Sequence, residues 1–199
     1  MRKGELTRER IVSRAIELAS TDGIGGVTLG RLADATGMSK SGLFAHFRSK
    51  EELQLQILEA AIASFRTEVV EPAMATPTGE DRFRRVFERW IGWAQTSSRM
   101  PGGCLFTQAA AELDDQPGPV RDVLADAERR WHETLTAFAR SAIRAGAFRA
   151  DLDPGLFAFQ LKGIFLGMVN SQRLLEDPQA HAYARGAFDA LLDWARSKP

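Results

Sequence analysis

Apolar residues recur along most of this chain at steps of three and four, and nearly every interruption is a glycine, a proline or a side chain suited to capping. Thr7 precedes Ile11, Ala15, Leu18 and Ala19, a stripe that predicts a helix over 8–20, ended by Asp22, Gly23 and the Gly25-Gly26 pair. Two short helices follow in 28–47, and Ser49 with Glu52 three residues on predicts a capping box opening a helix to about Val70. Residues 72–79, with Pro72 and Pro77, predict a linker. Beyond it the pattern gives helices over 81–96 and 104–113, then a stripe from Val120 through Leu124, Trp131, Leu135 and Phe138 to Ala145. Two more helices follow, opened by Pro154 and Pro178. No segment alternates as a strand does, so the prediction is an all-α chain of about nine helices.

Residues 27–53 carry the most specific signal. Leu29, Leu32 and Ala33 form the apolar face of one helix, and Gly37 suits the left-handed position after its end. Met38 gives a buried contact in the turn, Ser39 caps a second helix, and Leu43 and Phe47 seat that helix on the first. A small residue, a glycine and an aliphatic residue at Ala33, Gly37 and Leu43 have the spacing of a helix-turn-helix. Lys40, Ser41, Gly42, Phe44, Ala45 and His46 then point away from the core, as a helix lying in a DNA major groove requires. The run Thr28, Leu32, Ala33, Gly37, Ser39, Gly42, Leu43, Phe44, His46, Phe47, Ser49, Lys50, Glu51 and Leu53 resembles the DNA-binding domain of the tetracycline-repressor (TetR) family. The resemblance covers the first quarter of the chain, and a length of 199 residues with a helical remainder fits it. It implies a DNA-binding domain over 1–50, a connecting helix over 49–71, and a ligand-binding and dimerisation domain over 72–199. Phe44 departs from the pattern: many relatives carry a tyrosine there whose hydroxyl touches a phosphate, which leaves Phe44 packing or a thymine methyl.

The charge distribution supports a DNA-facing N-terminus. The chain is formally neutral, but residues 1–50 hold nine Arg and Lys against five acids, an excess balanced by the remaining 149 residues. The expected DNA-facing set is Thr28, Ser39, Lys40, Ser41, Gly42, Phe44, His46 and Lys50. Lys40 and Ser41 are candidates for base edges, while Lys50 and the backbone and hydroxyl of Thr28 are candidates for phosphates. Gly42 would permit close approach to the groove wall, and His46 meets DNA or is simply solvated or packed. The expected partner is double-stranded DNA with a palindromic operator.

The C-terminal part suggests a pocket rather than a catalytic centre. Trp90, Trp93, Cys104, Phe106, Gln108, Trp131 and Phe138 are candidates to line an effector cavity, with ordinary core as the competing reading of each aromatic. Glu112, His132 and Asn170 are further polar candidates. Residues 156–169 are apolar on nearly every side, and Gly163 and Gly167 would admit another backbone. With Phe159, and with Ala184, Phe188 and Leu191 on the last helix, they predict a four-helix dimer interface, against the alternative of two helices buried in one monomer.

The same segment is too short to span a membrane and carries Gln160 and Lys162. One cysteine excludes an internal disulfide and fits a reducing cytoplasm, and the three scattered histidines do not form a metal set. No cofactor fingerprint occurs, and catalysis is not expected. The resemblance thus implies a ligand-responsive regulator, a repressor released by a small apolar or aromatic effector. An effector-independent DNA-binding regulator, or a helical enzyme or carrier with a vestigial DNA-binding unit, remains the alternative.

Overall fold

The computed structural model describes residues 3–95 and 100–196, with side chains from Thr7 onward. The helices are α1 (Lys3–Asp22), α2 (Leu29–Thr36), α3 (Lys40–Phe44), α4 (Lys50–Phe65), α5 (Glu71–Met74), α6 (Glu80–Gln95), α7 (Leu105–Leu113), α8 (Pro119–Arg144), α9 (Pro154–Arg173) and α10 (Ala180–Ala195). Among the described residues there is no strand, and the one extended pairing is an isolated bridge between Phe148 and Arg196. The predicted helix end at Thr96 lies outside the described residues. No helix among those described is long and apolar enough to cross a membrane.

Local chemistry sets most boundaries. Thr28 caps α2 by accepting from the Arg31 amide, and Gly37 ends it at φ 67° with its N–H returned to the Ala33 carbonyl. A side chain at Gly37 would meet no neighbour, so backbone conformation and not space selects glycine there. Ser49 accepts from the Glu52 amide at 3.0 Å, while the Glu52 carboxylate reaches the Arg48 amide at 2.9 Å. Caps of this kind are worth about 1 kcal/mol each.

Three expectations change. α1 begins at Lys3, so Thr7 lies inside the helix and does not cap it. α3 is only five residues long, and Phe47 follows it in the turn toward the Ser49 cap, though Leu43 and Phe47 are both fully buried as expected. Pro72 does not end the fourth helix. A π-turn, Arg66–Val70, widens the spiral before it, and α5 continues through Pro72 to Met74. The wider turn makes room for the proline ring against the preceding turn and absorbs its missing N–H.

The chain divides into two compact units, Met1–Thr67 with Gly92–Ala127, and Glu68–Ile91 with Glu128–Pro199. This grouping by packing differs from a division by position along the chain, because 92–127 belongs with the N-terminal helices. In the first unit Ile24, Leu58, Ala109, Leu113, Val120 and Leu124 form one buried cluster. Trp93 stacks on Phe106 at 5.4 Å and meets Phe65 edge-on at 5.1 Å. In the second unit Phe83 packs with Phe138, Phe148 and Phe157, while Trp90 stacks on Phe165 at 4.0 Å and takes Trp131 on its edge. α9 and α10 pack on one another.

In the second unit α10 turns one face inward. Ala184, Phe188 and Leu191, expected at the dimer interface, are buried by their own protomer, and Phe188, 3% exposed, stacks on Phe87 at 4.2 Å. The outward stripe instead holds Phe159, which is 69% exposed, with Leu166, Tyr183 and Trp194. Gly163 and Gly167 belong to this outward stripe, and a side chain at either would meet no atom of the protomer.

Candidate nucleic-acid interface

The helix-turn-helix is built so that its apolar residues are consumed inside it. Leu32, Ala33, Leu43 and Phe47 are buried; Thr28, Ser39, Lys40, Ser41, Phe44 and Lys50 are exposed. Burying a leucine or phenylalanine of this size stabilises by about 2 kcal/mol, which fixes α3 on α2 and leaves its polar side outward. Ser39 caps α3 by accepting from the Gly42 amide at 3.1 Å, and its hydroxyl lies 3.1 Å from that of Ser41. Phe44, 54% exposed at the end of α3, presents part of its ring outward for an apolar contact such as a thymine methyl. His46 is half-buried, its ring 6.4 Å from that of Phe47.

Two cations lie close to helix N-termini. The Lys40 ammonium and the Thr28 hydroxyl both lie 3.8 Å from where a side chain at Gly30 would begin, so a base-edge candidate and a phosphate candidate share one patch. The Lys50 ammonium donates to the Gly25 carbonyl. An ammonium has three donors, so that bond leaves others for a phosphate oxygen. A side chain at Gly42 would begin 3.2 Å from the Ser39 hydroxyl and 3.7 Å from the Met38 methyl. With no side chain at Gly42, the Ser39 hydroxyl keeps its place as the cap of α3.

The geometry is that of a helix-turn-helix with a short, polar recognition segment, and the comparisons agree with it. Residues 11–57 match the bacterial regulatory proteins of the tetR family, and residues 79–188 match the tetracyclin repressor-like C-terminal domain. The chain belongs to the TetR family. It is a DNA-binding transcriptional regulator. The HTH-type transcriptional regulator SrpR of Pseudomonas putida is 25% identical over 193 residues, covering 96% of this chain and 87% of SrpR. A TetR transcriptional regulator from Chloroflexus aurantiacus J-10-FL has the same fold with a TM-score of 0.86, at 27% identity and full coverage of both chains. AibR, solved with isovaleryl coenzyme A and operator DNA, superimposes with a TM-score of 0.73 at 22% identity, covering 93% of this chain and 97% of AibR.

The effector candidates of this TetR-family chain divide between the two units. In the first, Trp93 and Phe106 stack, Cys104 is buried, and the Gln108 amide donates to the Gly102 carbonyl at 2.6 Å. In the second, Trp90 and Trp131 meet edge to face, and Phe138 packs on Phe83 beneath the Arg82 guanidinium. The first unit also contains a cleft of about 480 Å³ between α1 and α4. Val12, Ile16, Ala61 and Trp93 give it apolar walls, and Arg8, Glu9, Gln56 and Glu59 a polar rim. The Trp93 indole N–H donates to Ser64 at 3.0 Å on its wall. Of this lining, sequence reasoning named only Trp93 as an effector candidate, because all the others but Met100 sit on helices read as scaffold of the DNA-binding part. Among the described residues no group of three or more His, Cys, Asp or Glu is arranged to hold a metal.

Proposed function

We propose that this regulator is a repressor that binds a palindromic operator as a homodimer and is released when a small apolar or aromatic molecule binds. One observation carries the reading. α9 and α10 expose an apolar stripe of Phe159, Leu166, Tyr183 and Trp194, with Gly163 and Gly167 open between them. A second copy covers such a stripe, since contiguous exposed apolar surface on a protein marks an interaction site, and two-fold pairing of identical faces is the commonest closed arrangement. Two copies bring two recognition segments, and a symmetric pair reads half-sites about 34 Å apart. In this reading residues 1–50 bind DNA, with Thr28 and Lys50 on phosphates and Lys40 and Ser41 on bases. The helix over 49–71 connects, and residues 72–199 carry dimerisation and lend Trp93 and Met100 to the effector site.

For the effector, the α1–α4 cleft is the site favoured by geometry. Its apolar walls and polar rim suit a small amphipathic molecule, and its occupant would touch α1 and α4 together. AibR, with ligand and operator both in its crystal structure, supports the idea that this fold serves both. Release needs only a ligand that prefers one of two dimer states, about 5.5 kcal/mol of preference for a near-complete switch.

The test is thermal melting of the protein with a library of small aromatic compounds, followed by DNA release with those that stabilise. The reading expects some compounds to raise the midpoint and dissociate DNA, and Ala60→Trp, which fills the cleft, to abolish both effects. Stabilising compounds that ignore Ala60→Trp would place the effector elsewhere. A library without any stabilising compound would favour an effector-independent regulator.

A further inference from the structure

The connection between α1 and α2 is held from outside the helix-turn-helix. Ile24 is fully buried against Leu58 of α4, Ala109 and Leu113 of α7 and Leu124 of α8. One residue on, the Gly25 N–H donates to the Glu112 carboxylate of α7 at 2.6 Å. That carboxylate occupies the room that side chains at Gly23 and Gly25 would need: a Cβ at Gly25 would lie 2.1 Å from it, and one at Gly23 2.8 Å. On its other side, the Gly25 carbonyl accepts from the Lys50 ammonium, and the Ile24 carbonyl accepts from the Gln54 amide at 3.0 Å. A carboxylate of α7, one glycine and an ammonium of α4 are thereby linked in series.

We propose that Glu112 is a positioning residue for DNA binding: by gripping the Gly25 backbone it fixes the carbonyl on which Lys50 rests, and so aims the Lys50 ammonium at phosphate. The proposal rests on the reading of Lys50 as a phosphate contact. A hydrogen bond to an ionised carboxylate is stronger than one between neutral groups, so Glu112 holds the glycine more firmly than a water would. A lysine has four flexible torsions, and ordering them before DNA arrives removes a cost that binding would otherwise bear. Glu112 lies within 79–188, the stretch matching the C-terminal family domain, so a residue of that domain acts on a DNA contact. A movement of α7 is felt at Lys50 by the same route.

The test is a double-mutant cycle, read by fluorescence anisotropy on a labelled mixed-sequence duplex at fixed low salt. Glu112→Ala is compared with the unaltered chain, with Lys50→Met and with the pair. Glu112→Ala is expected to weaken binding about fivefold when Lys50 is present, a coupling typical of groups in one network. It should do almost nothing in the Lys50→Met background. Glu112→Gln retains an oxygen for the Gly25 N–H and should keep most of the affinity. Gly25→Ala, whose methyl displaces the carboxylate, should reproduce Glu112→Ala and serves in its place where that variant melts early. An equal loss with and without Lys50 means a purely structural role and overturns the proposal, as does no loss in either background. If Lys50→Met alone binds like the unaltered chain, the phosphate reading itself fails, a result visible with Glu112 intact.

Discussion

The surface around α3 and the surface of α9 and α10 are opposites. Around α3 the large apolar side chains Leu32, Leu43 and Phe47 are inside, and what remains outside is mostly small or polar, capped by its own local hydrogen bonds. On α9 and α10 the inward face is filled by Phe157, Phe165 and Phe188, yet the outward face is apolar as well. A polar surface with a satisfied backbone needs no partner to be stable in water and is free to wait for DNA. An apolar surface that the protomer does not cover is costly to leave wet. In the proposed function the first surface takes a transient, salt-sensitive partner and the second a lasting, hydrophobic one.

That contrast can be broken at several points. The largest effect should come from Gly102→Ala in the first unit. A Cβ there would stand 1.4 Å from the Ser20 carbonyl, while the Gly102 amide donates to the buried Ser20 hydroxyl at 3.0 Å. Backbone has nowhere to yield, and the loss should be about 3 kcal/mol in urea unfolding; a loss below a few tenths would mean the contact is loose. Next is Phe159→Glu, which puts a charge on the most exposed aromatic of the outward stripe. Sedimentation should show two associated chains becoming one, with the secondary structure unchanged. Association unaffected by the variant would remove α9 from the interface.

A smaller effect is expected on the polar side. Lys50→Ala should weaken binding to all sequences alike and flatten the dependence of log affinity on log salt by about 0.9. A changed base preference with an unaltered slope would contradict the phosphate role. The smallest concerns Glu80, whose carboxyl is lowered from the ordinary 4.5 to about 2, chiefly by its hydrogen bond to Arg196, with Arg84 adding to this against the opposing effect of burial. Because its folded value is depressed, its contribution is complete above about pH 4.5 and is lost as pH falls toward 2. Arg196→Ala should therefore narrow the gap between melting points at about pH 6 and about pH 3. An unchanged gap would show that the pair contributes nothing measurable, as exposed pairs often do.

Legibility in the sequence followed the range of the interactions. Thr28, Gly37, Ser39 and the Ser49 and Glu52 pair act within four residues of themselves, and their positions and spacing announced them. Pro72 was misleading because the π-turn directly before it relieves the clash that normally ends a helix. On α10 two stripes of three-and-four spacing interleave. Periodicity marks Ala184, Phe188 and Leu191 as one face and Tyr183, Ala187 and Trp194 as another, but does not say which the protomer keeps. The contacts from Glu112 to Gly25 and from Gly102 to Ser20 span 87 and 82 residues, and no local pattern encodes them. The α1–α4 cleft was hidden for the same reason, since α1, α4 and Trp93 come together only in the folded unit.

The most direct measurement is selection of duplex DNA from a randomised pool by the purified protein at fixed near-physiological salt. The account predicts enrichment of an inverted repeat with half-sites about one helical turn apart, lost on Phe159→Glu and altered in base preference by Lys40→Ala. Enrichment of an unpaired half-site, or none at all, would contradict a symmetric regulator reading DNA through α3.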